Sequence, residues 1–257
     1  MKGLIRWILN HIPRRLLQRV ATWAVPLLGI AYIGRGRRCP LCGTERRRFL
    51  SYGYVRTRED ALCPRCLSLE RHRAIWLYIT RHTALLDSHP RILHIAPELS
   101  LMRHFRRLYA AYPERYITAD LESPLADMHF DVQQIPLADA SVDVAICNHL
   151  FEHIADDRLA MRELYRVLRP GGWGIMVVPE DRSREVTFED DSITDPAART
   201  AIFGQYDHRR IYGRDYDHRL EEAGFSVERI TPSGLLSAEE MRLYATANDD
   251  IVVVRKD

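Results

Sequence analysis

The run from Ser141 to Pro179, SVDVAICNHLFEHIADDRLAMRELYRVLRPGGWGIMVVP, leaves a chain few ways to fold. Val142, Val144 and Ile146 alternate as a strand does. Ala160, Leu164, Val167 and Leu168 recur at helical spacing behind Asp156 or Asp157, either of which serves as a cap. Arg166 and Arg169 fall in the expected last turn, where cations favour the helix dipole. Pro170-Gly171-Gly172 then stops the helix before the apolar run Gly174 to Val178. Two strands joined by one helix run parallel, which predicts an α/β fold with a doubly wound sheet.

With HLFEH and LRPGG at this separation, Asp143 to Gly172 resembles the fourth strand, following helix and L-x-P-G-G turn of the class I S-adenosylmethionine (SAM) dependent methyltransferases, of the type 11 kind. The resemblance runs from about Arg91 to the C-terminus. It is greatest to a bacterial group that combines an N-terminal cysteine cluster with a downstream FGQYDH segment, here Phe203 to His208. It implies a Rossmann-like, mostly parallel seven-stranded sheet, SAM as methyl donor and a methyl acceptor that the sequence does not identify.

The resemblance also implies a cofactor site. The family carries an acidic residue and a glycine-rich turn after the first strand; here Arg91 to Glu98 reads RILHIAPE, placing His94, Ala96, Pro97 and Glu98 there. Ala96-Pro97 is stiffer than glycine, and Glu98 is expected to supply the missing carboxylate to the cofactor's ammonium, or else simply to open the next helix. Tyr116 to Asp120 is the second strand, with Asp120 at the ribose hydroxyls, since one carboxylate accepts from both. Asp131 matches the residue facing the adenine amino group, with Val132 beside the ring. Asn148 and His149 close the fourth strand at the switch point, where they are expected to touch methionine or acceptor.

Methyl transfer from a sulfonium is an in-line displacement that needs a base only for a protonated acceptor. His208 is the first candidate for that base, because imidazole titrates near neutrality. His149 and His153 are rivals, His153 being expected to bond the helix start instead. Residues 180–212 form an insertion far longer than an ordinary strand-to-helix connection, a lid candidate. Residues 180–200 hold seven acids against three arginines, which weighs against a nucleic acid on this face and favours a small or glycan-type acceptor. Beyond it, Gly213 to Ala223 reads as a helix, and Ser226 to Ile230 and Ile251 to Arg255 as strands.

The N-terminal end has the opposite character, with eleven Lys or Arg against Glu45 alone in residues 1–48. Residues 1–33 suggest two short amphipathic helices divided by Pro13, with Trp7 and Trp23 on or beside the apolar face. Such an arm suits peripheral contact with an anionic membrane, and equally packing on the catalytic domain or self-association. No apolar run reaches the ~18 residues of a membrane span, and no export signal is evident, so the expected location is cytoplasmic.

Cys39, Cys42, Cys63 and Cys66 form C-x2-C, twenty residues, C-x2-C. Thiolates two residues apart converge on one metal, and Gly43 permits the backbone of such a knuckle. Four thiolates would leave Zn2+ no open position, making it structural; a disulfide framework is the rival for secreted chains. The expected organisation is a basic helical arm at 1–36, a four-cysteine zinc module at 37–70 and a methyltransferase domain at 71–257. A catalytically silent scaffold, or a nucleic-acid-binding or RNA-modifying protein using Arg35, Arg37, Arg38 and Arg46 to Arg48, is the alternative function.

Overall fold

The computed structural model of the chain describes residues 29–53 and 57–257; the helical arm expected over 1–36 lies, up to residue 28, outside the described residues, and its expected end is not helical, since Ile33–Arg38 is a strand paired with Glu45–Arg46. The elements are β1 (Ile33–Arg38), β2 (Glu45–Arg46), β3 (Leu50–Tyr52), β4 (Arg58–Leu62), α1 (Glu70–His82), β5 (Ile92–Ile95), α2 (Leu99–Leu108), β6 (Tyr116–Asp120) and β7 (Met128–His129). They continue as β8 (Val142–Cys147), α3 (Asp157–Val167), β9 (Leu168–Ile175), β10 (Phe188–Glu189), α4 (Pro196–Phe203), β11 (Arg210–Ile211), α5 (Tyr216–Glu222), β12 (Ser226–Ile230), α6 (Ala238–Tyr244) and β13 (Ile251–Arg255). They fall into two units, one made of residues up to Leu77 with Leu236–Ala247, the other of Tyr78–Leu235 with Asn248–Asp257. The division expected at residue 70 therefore falls inside α1, and α6 groups with the cysteine module.

The larger unit holds a seven-stranded sheet in the order β12-β13-β9-β8-β5-β6-β7. β5 is parallel to β6 and β8, β6 to β7, and β8 to β9, whereas β13 is antiparallel to both β9 and β12. β5 is buried along its whole length, as a strand covered on both faces must be. The core joins Leu93, Ile95, Ala145 and Val254 of the sheet to Met161, Leu164 and Val167 of α3. Asp156 caps α3, its side chain accepting from the amide of Leu159.

Several boundaries differ from the sequence expectation for identifiable reasons. α3 ends at Val167 and β9 begins directly at Leu168, so Arg169 lies in the strand, paired with Asp143 at 2.8 Å, and only Arg166 belongs to the last helical turn. Gly172 runs so close to β8 that a Cβ would meet the Asp143 carbonyl oxygen at 3.0 Å. α1 stops at His82, short of the Leu86 to which the apolar pattern from Glu70 reads as a helix, where the Thr83 hydroxyl donates to the Ile79 carbonyl and accepts from the Leu85 amide. The helix expected from Gly213 starts at Tyr216, because Gly213 lies against the backbone of Val186, which a Cβ would meet at 2.7 Å.

In the smaller unit two knuckles repeat the pattern C-P-x-C-x-[Thr/Ser]. The Cys39 amide donates to Thr44 O and the Gly43 amide to Cys39 O, while the Cys63 amide donates to Ser68 O and the Leu67 amide to Cys63 O. Gly43 and the equivalent Leu67 both take left-handed backbone, at φ 69° and 62°, a conformation that costs a non-glycine residue about 1–2 kcal/mol. Arg73 is fully buried beside them. Its guanidinium donates to the carbonyls of Ala61, Ser68, Tyr244 and Ala245, tying the end of α6 to the second knuckle.

Candidate active site and metal centre

The carboxyl edge of the parallel strands gathers most of the residues singled out for the cofactor. In the parallel register Ile95 stands beside Ala119 and Cys147, so Ala96, Asp120 and Asn148 follow side by side at the ends of β5, β6 and β8. Strand order reverses between β5 and β8, where an open sheet leaves its crevice. Ala96 has φ 47° and donates its amide to Ala119 O at 2.8 Å. The turn thus adopts the backbone of a glycine without having one.

His94, fully buried, reaches from β5 to the Glu98 carboxylate at 3.0 Å through Nε2 and to the Tyr116 hydroxyl at 2.8 Å through Nδ1. Burial, reinforced by the charge of Glu98, pushes the Tyr116 hydroxyl far above the usual phenol range, so it keeps its proton and donates to Nδ1. With that hydroxyl donating to Nδ1, it is Nε2 that donates to the carboxylate. Glu98 stands at the N-cap position of α2 but its side chain makes no capping bond there.

Asp120 Oδ1 accepts from the amides of Glu122 and Ser123, fixing the side chain in a turn at the strand end. Asp131 is exposed and holds Gln133 through both oxygens, and Val132 is buried in the core. Asn148 is buried; its Oδ1 accepts from the Val177 amide at 3.4 Å, while its Nδ2 is buried without a partner. His149 has φ 52° and places Nδ1 3.4 Å from Oε1 of Glu152.

The insertion at 180–212 is folded, with β10 pairing antiparallel to β11. Its acids are largely neutralised by arginine: Glu185 by Arg214, Asp191 by Arg209, and Glu189 by both Arg210 and Arg219. The negative face read from the residue count is therefore much weaker than its acids suggest. His208 is half-buried, its Nδ1 3.2 Å from Phe203 O and its ring edge-on to that of His153 at 4.8 Å. Burial lowers its pKa, and the nearby Glu152 charge only partly opposes this. His153 pairs with Asp207 at 3.5 Å and not with the helix start, which Asp156 caps.

Two features of this edge escaped the sequence. Glu152 is almost fully buried; burial opposes its charge, yet the bond to His149 and the nearness of the His149 and His153 rings hold its pKa below the usual carboxylate value. Behind it, Asp157 accepts from the Tyr212 hydroxyl at 2.7 Å and from Arg219 at 3.0 Å, and Arg210 donates to the carbonyls of Phe151, Ile154 and Ala155. The members of this network come from distant parts of the chain, and no local spacing marks them.

In the smaller unit the sulfurs of Cys39, Cys42, Cys63 and Cys66 lie within 4.8 Å of one another, and no disulfide is formed. Cys39 and Cys66 are 3.5 Å apart, Cys42 and Cys63 3.8 Å. A tetrahedral ion with Zn–S bonds of about 2.3 Å sets its sulfurs about 3.8 Å apart, so the donor set fits zinc in number, chemistry and spacing. Hydrogen bonds from Cys39 and its neighbours hold Cys42 far below the usual thiol range, while Cys63 and Cys66 are pushed far above it. Cys39 is lowered too, to about 7, so charge is favoured on two of the sulfurs and opposed on the other two, and four thiolates coexist only around a cation.

Residues 82–176 match the methyltransferase domain family. A probable S-adenosylmethionine-dependent methyltransferase of Mycolicibacterium smegmatis is 32% identical over 100 residues, which are 39% of this chain and 35% of that protein. An uncharacterized 37.1 kDa protein in transposon TN4556 of Streptomyces fradiae is 30% identical over 102 residues, 40% of this chain and 29% of that one. The matched stretch is thus about a third of the curated relatives' length. The YcgJ protein of Bacillus subtilis has a TM-score of 0.45 and 15% identity, covering 72% of this chain and 99% of its own. Among the described residues no helix is long and apolar enough to cross a membrane.

Proposed function

We propose, from the match of residues 82–176 to the methyltransferase domain family, that the protein is a class I enzyme that transfers the methyl group of SAM to a small-molecule or glycan-type acceptor. One observation carries this: the turn after β5 keeps the left-handed backbone at Ala96, and the Tyr116–His94–Glu98 chain sets a carboxylate beside it. The acid that the family carries at the strand end is thereby supplied from Glu98, pinned by His94. SAM, when bound, supplies an activated methyl on its sulfonium.

In this reading Ala96 lets the backbone approach the ligand and Glu98 faces the ammonium. Asp120 accepts from the ribose hydroxyls through the oxygen that its turn leaves free, Asp131 and Val132 border the adenine, and the unpartnered Nδ2 of Asn148 supplies a donor to the methionine part. Asp120→Ala removes a charged acceptor worth about 1.5–3 kcal/mol, so SAM affinity measured by calorimetry is expected to fall roughly 10- to 100-fold. Unchanged affinity would remove Asp120 from the site, and no affinity in the unaltered chain would overturn the function.

His208 and His149 activate the acceptor. His208→Ala is expected to lower turnover by roughly a hundredfold or more with the SAM affinity retained; full turnover would dismiss the assignment. The glycan-type acceptor is supported by the exposed ring of Tyr206 and by the Gln205 amide and Asp207 carboxylate, which are joined at 2.7 Å. Such polar groups suit neighbouring hydroxyls. In the smaller unit Cys39, Cys42, Cys63 and Cys66 hold one structural Zn2+.

A further inference from the structure

Besides the cysteine cluster, a second group of metal-type side chains converges among the described residues. Glu152, His153 and His208 each offer one donor atom, all within 4.8 Å of one another. Glu152 is the telling member. It is 1% exposed, and while its Oε1 lies 3.4 Å from His149, its Oε2 is buried with no hydrogen-bond partner. A buried carboxylate oxygen without a donor is costly unless a cation faces it.

The two imidazoles are oriented as ligands are. His208 directs Nδ1 at the Phe203 carbonyl, 3.2 Å away, and His153 directs Nδ1 at Asp207 Oδ2, 3.5 Å away. With the proton on Nδ1 in each ring, Nε2 keeps its lone pair. Metal-ligating histidines are commonly held in this way, the second nitrogen tied to a carbonyl or carboxylate that fixes tautomer and ring. A purely structural cluster would instead spend an imidazole N–H on the orphaned oxygen of Glu152.

We propose that Glu152, His153 and His208 form a binding site for a divalent first-row transition ion, separate from the cysteine cluster and bordering the acceptor side of the crevice. Two imidazoles and one carboxylate suit Zn2+, Fe2+, Co2+ or Mn2+ better than Mg2+ or Ca2+, which take oxygen ligands. Three protein ligands leave positions open. Binding of the ion is independent of the methyltransferase reading, and what the ion does rests on it. An acceptor with adjacent hydroxyls chelates the ion, and one hydroxyl gives up its proton to His149. The freed oxygen pair then forms the new O–C bond to the methyl group as the C–S bond breaks, its electron pair going to sulfur. Sulfonium and alkoxide become thioether and ether, so charge balances. His208 thus acts as a ligand, and the acceptor class narrows to a hydroxyl-bearing molecule, best a vicinal diol.

The test uses the full, untagged chain with zinc in its cysteine cluster, titrated with Co2+ by calorimetry and visible absorption. One equivalent of cobalt is expected per chain, with d–d bands and no thiolate charge-transfer band. Glu152→Gln and His153→Gln are each expected to weaken binding by about a hundredfold or more. SAM affinity of the same samples reports that the fold is intact. Absence of a cobalt equivalent in the unaltered chain, or undiminished binding in both variants, overturns the site, and SAM affinity retained in that case leaves the methyltransferase reading standing. Cobalt bound as expected in a chain without SAM affinity keeps the site and removes the reading.

Discussion

The Cys63→Ser chain is expected to emerge from purification without zinc and with its N-terminal unit unfolded. β1 to β4 contain between two and six residues each, and a module of that size stores little in its own core. Structural zinc contributes binding free energy of roughly 10–16 kcal/mol in small folded modules near neutral pH, more than such a unit holds otherwise. The loss spreads because the second knuckle positions what surrounds it. The Ser68 carbonyl that accepts from the Cys63 amide also accepts from Arg73 at 2.7 Å. Once that carbonyl moves, the guanidinium loses a partner in a place where it is shut off from water, and burial already works against its charge. Leu67 would leave its left-handed conformation, since only the closed knuckle holds it there. Metal content by atomic spectroscopy and tryptic cleavage at Arg65, Arg71 and Arg73 read the outcome. A variant with one zinc per chain and uncut arginines would show that the cysteines staple nothing.

How far this molecule can be read from its residues depends on whether the signal is local. Ser141 to Pro179 fixed a parallel pair because strand, helix and strand lie within one stretch; β8 and the start of α3 appear where the periodicity and the cap set them, whereas β9 begins at Leu168, ahead of the apolar run that opens at Gly174. Helix ends were less legible: Thr83 and Gly213 end or delay helices through contacts that spacing does not reveal. The departure at RILHIAPE was visible as a departure, but not its remedy, because Ala96 can take positive φ only if the surrounding structure imposes it. Likewise the return of Glu98 onto His94 requires knowing that Tyr116 of the neighbouring strand fills the other imidazole nitrogen. The charge count over 180–200 misled, because its acids are answered by Arg209, Arg210, Arg214 and Arg219, which lie downstream of the counted window. The knuckle repeat was open to inspection: CPLCGT and CPRCLS align residue for residue, placing Leu67 opposite Gly43.

Asp157→Ala is expected to destabilise the larger unit by about 3–5 kcal/mol, the cost of removing one partner from a buried ion pair. Asp157 is 2% exposed, and Arg210 and Arg219 are each 4% exposed. Without Asp157 the two guanidiniums keep Glu189 in common, at 2.9 and 3.1 Å, with Asp215 at 3.5 Å from Arg219, and the Tyr212 hydroxyl loses its acceptor in a fully buried position. For a unit of this size the thermal midpoint should drop on the order of 10 °C. Asp157→Asn, which keeps an acceptor oxygen and removes the charge, should fall between. The consequence reaches the crevice through Arg210. Its guanidinium fastens the carbonyls of Phe151, Ile154 and Ala155, and those residues bracket Glu152 and His153. If Arg210 turns toward solvent to recover hydration, that segment loses its anchor while the β5 and β6 edge, which carries Ala96, Glu98 and Asp120, keeps its own bonds. Turnover should therefore fall further than SAM affinity in Asp157→Ala at temperatures well below its midpoint. Parallel losses of both would mean that the acceptor side and the cofactor side move as one body, and an unchanged midpoint would mean that the buried arginines are satisfied by water.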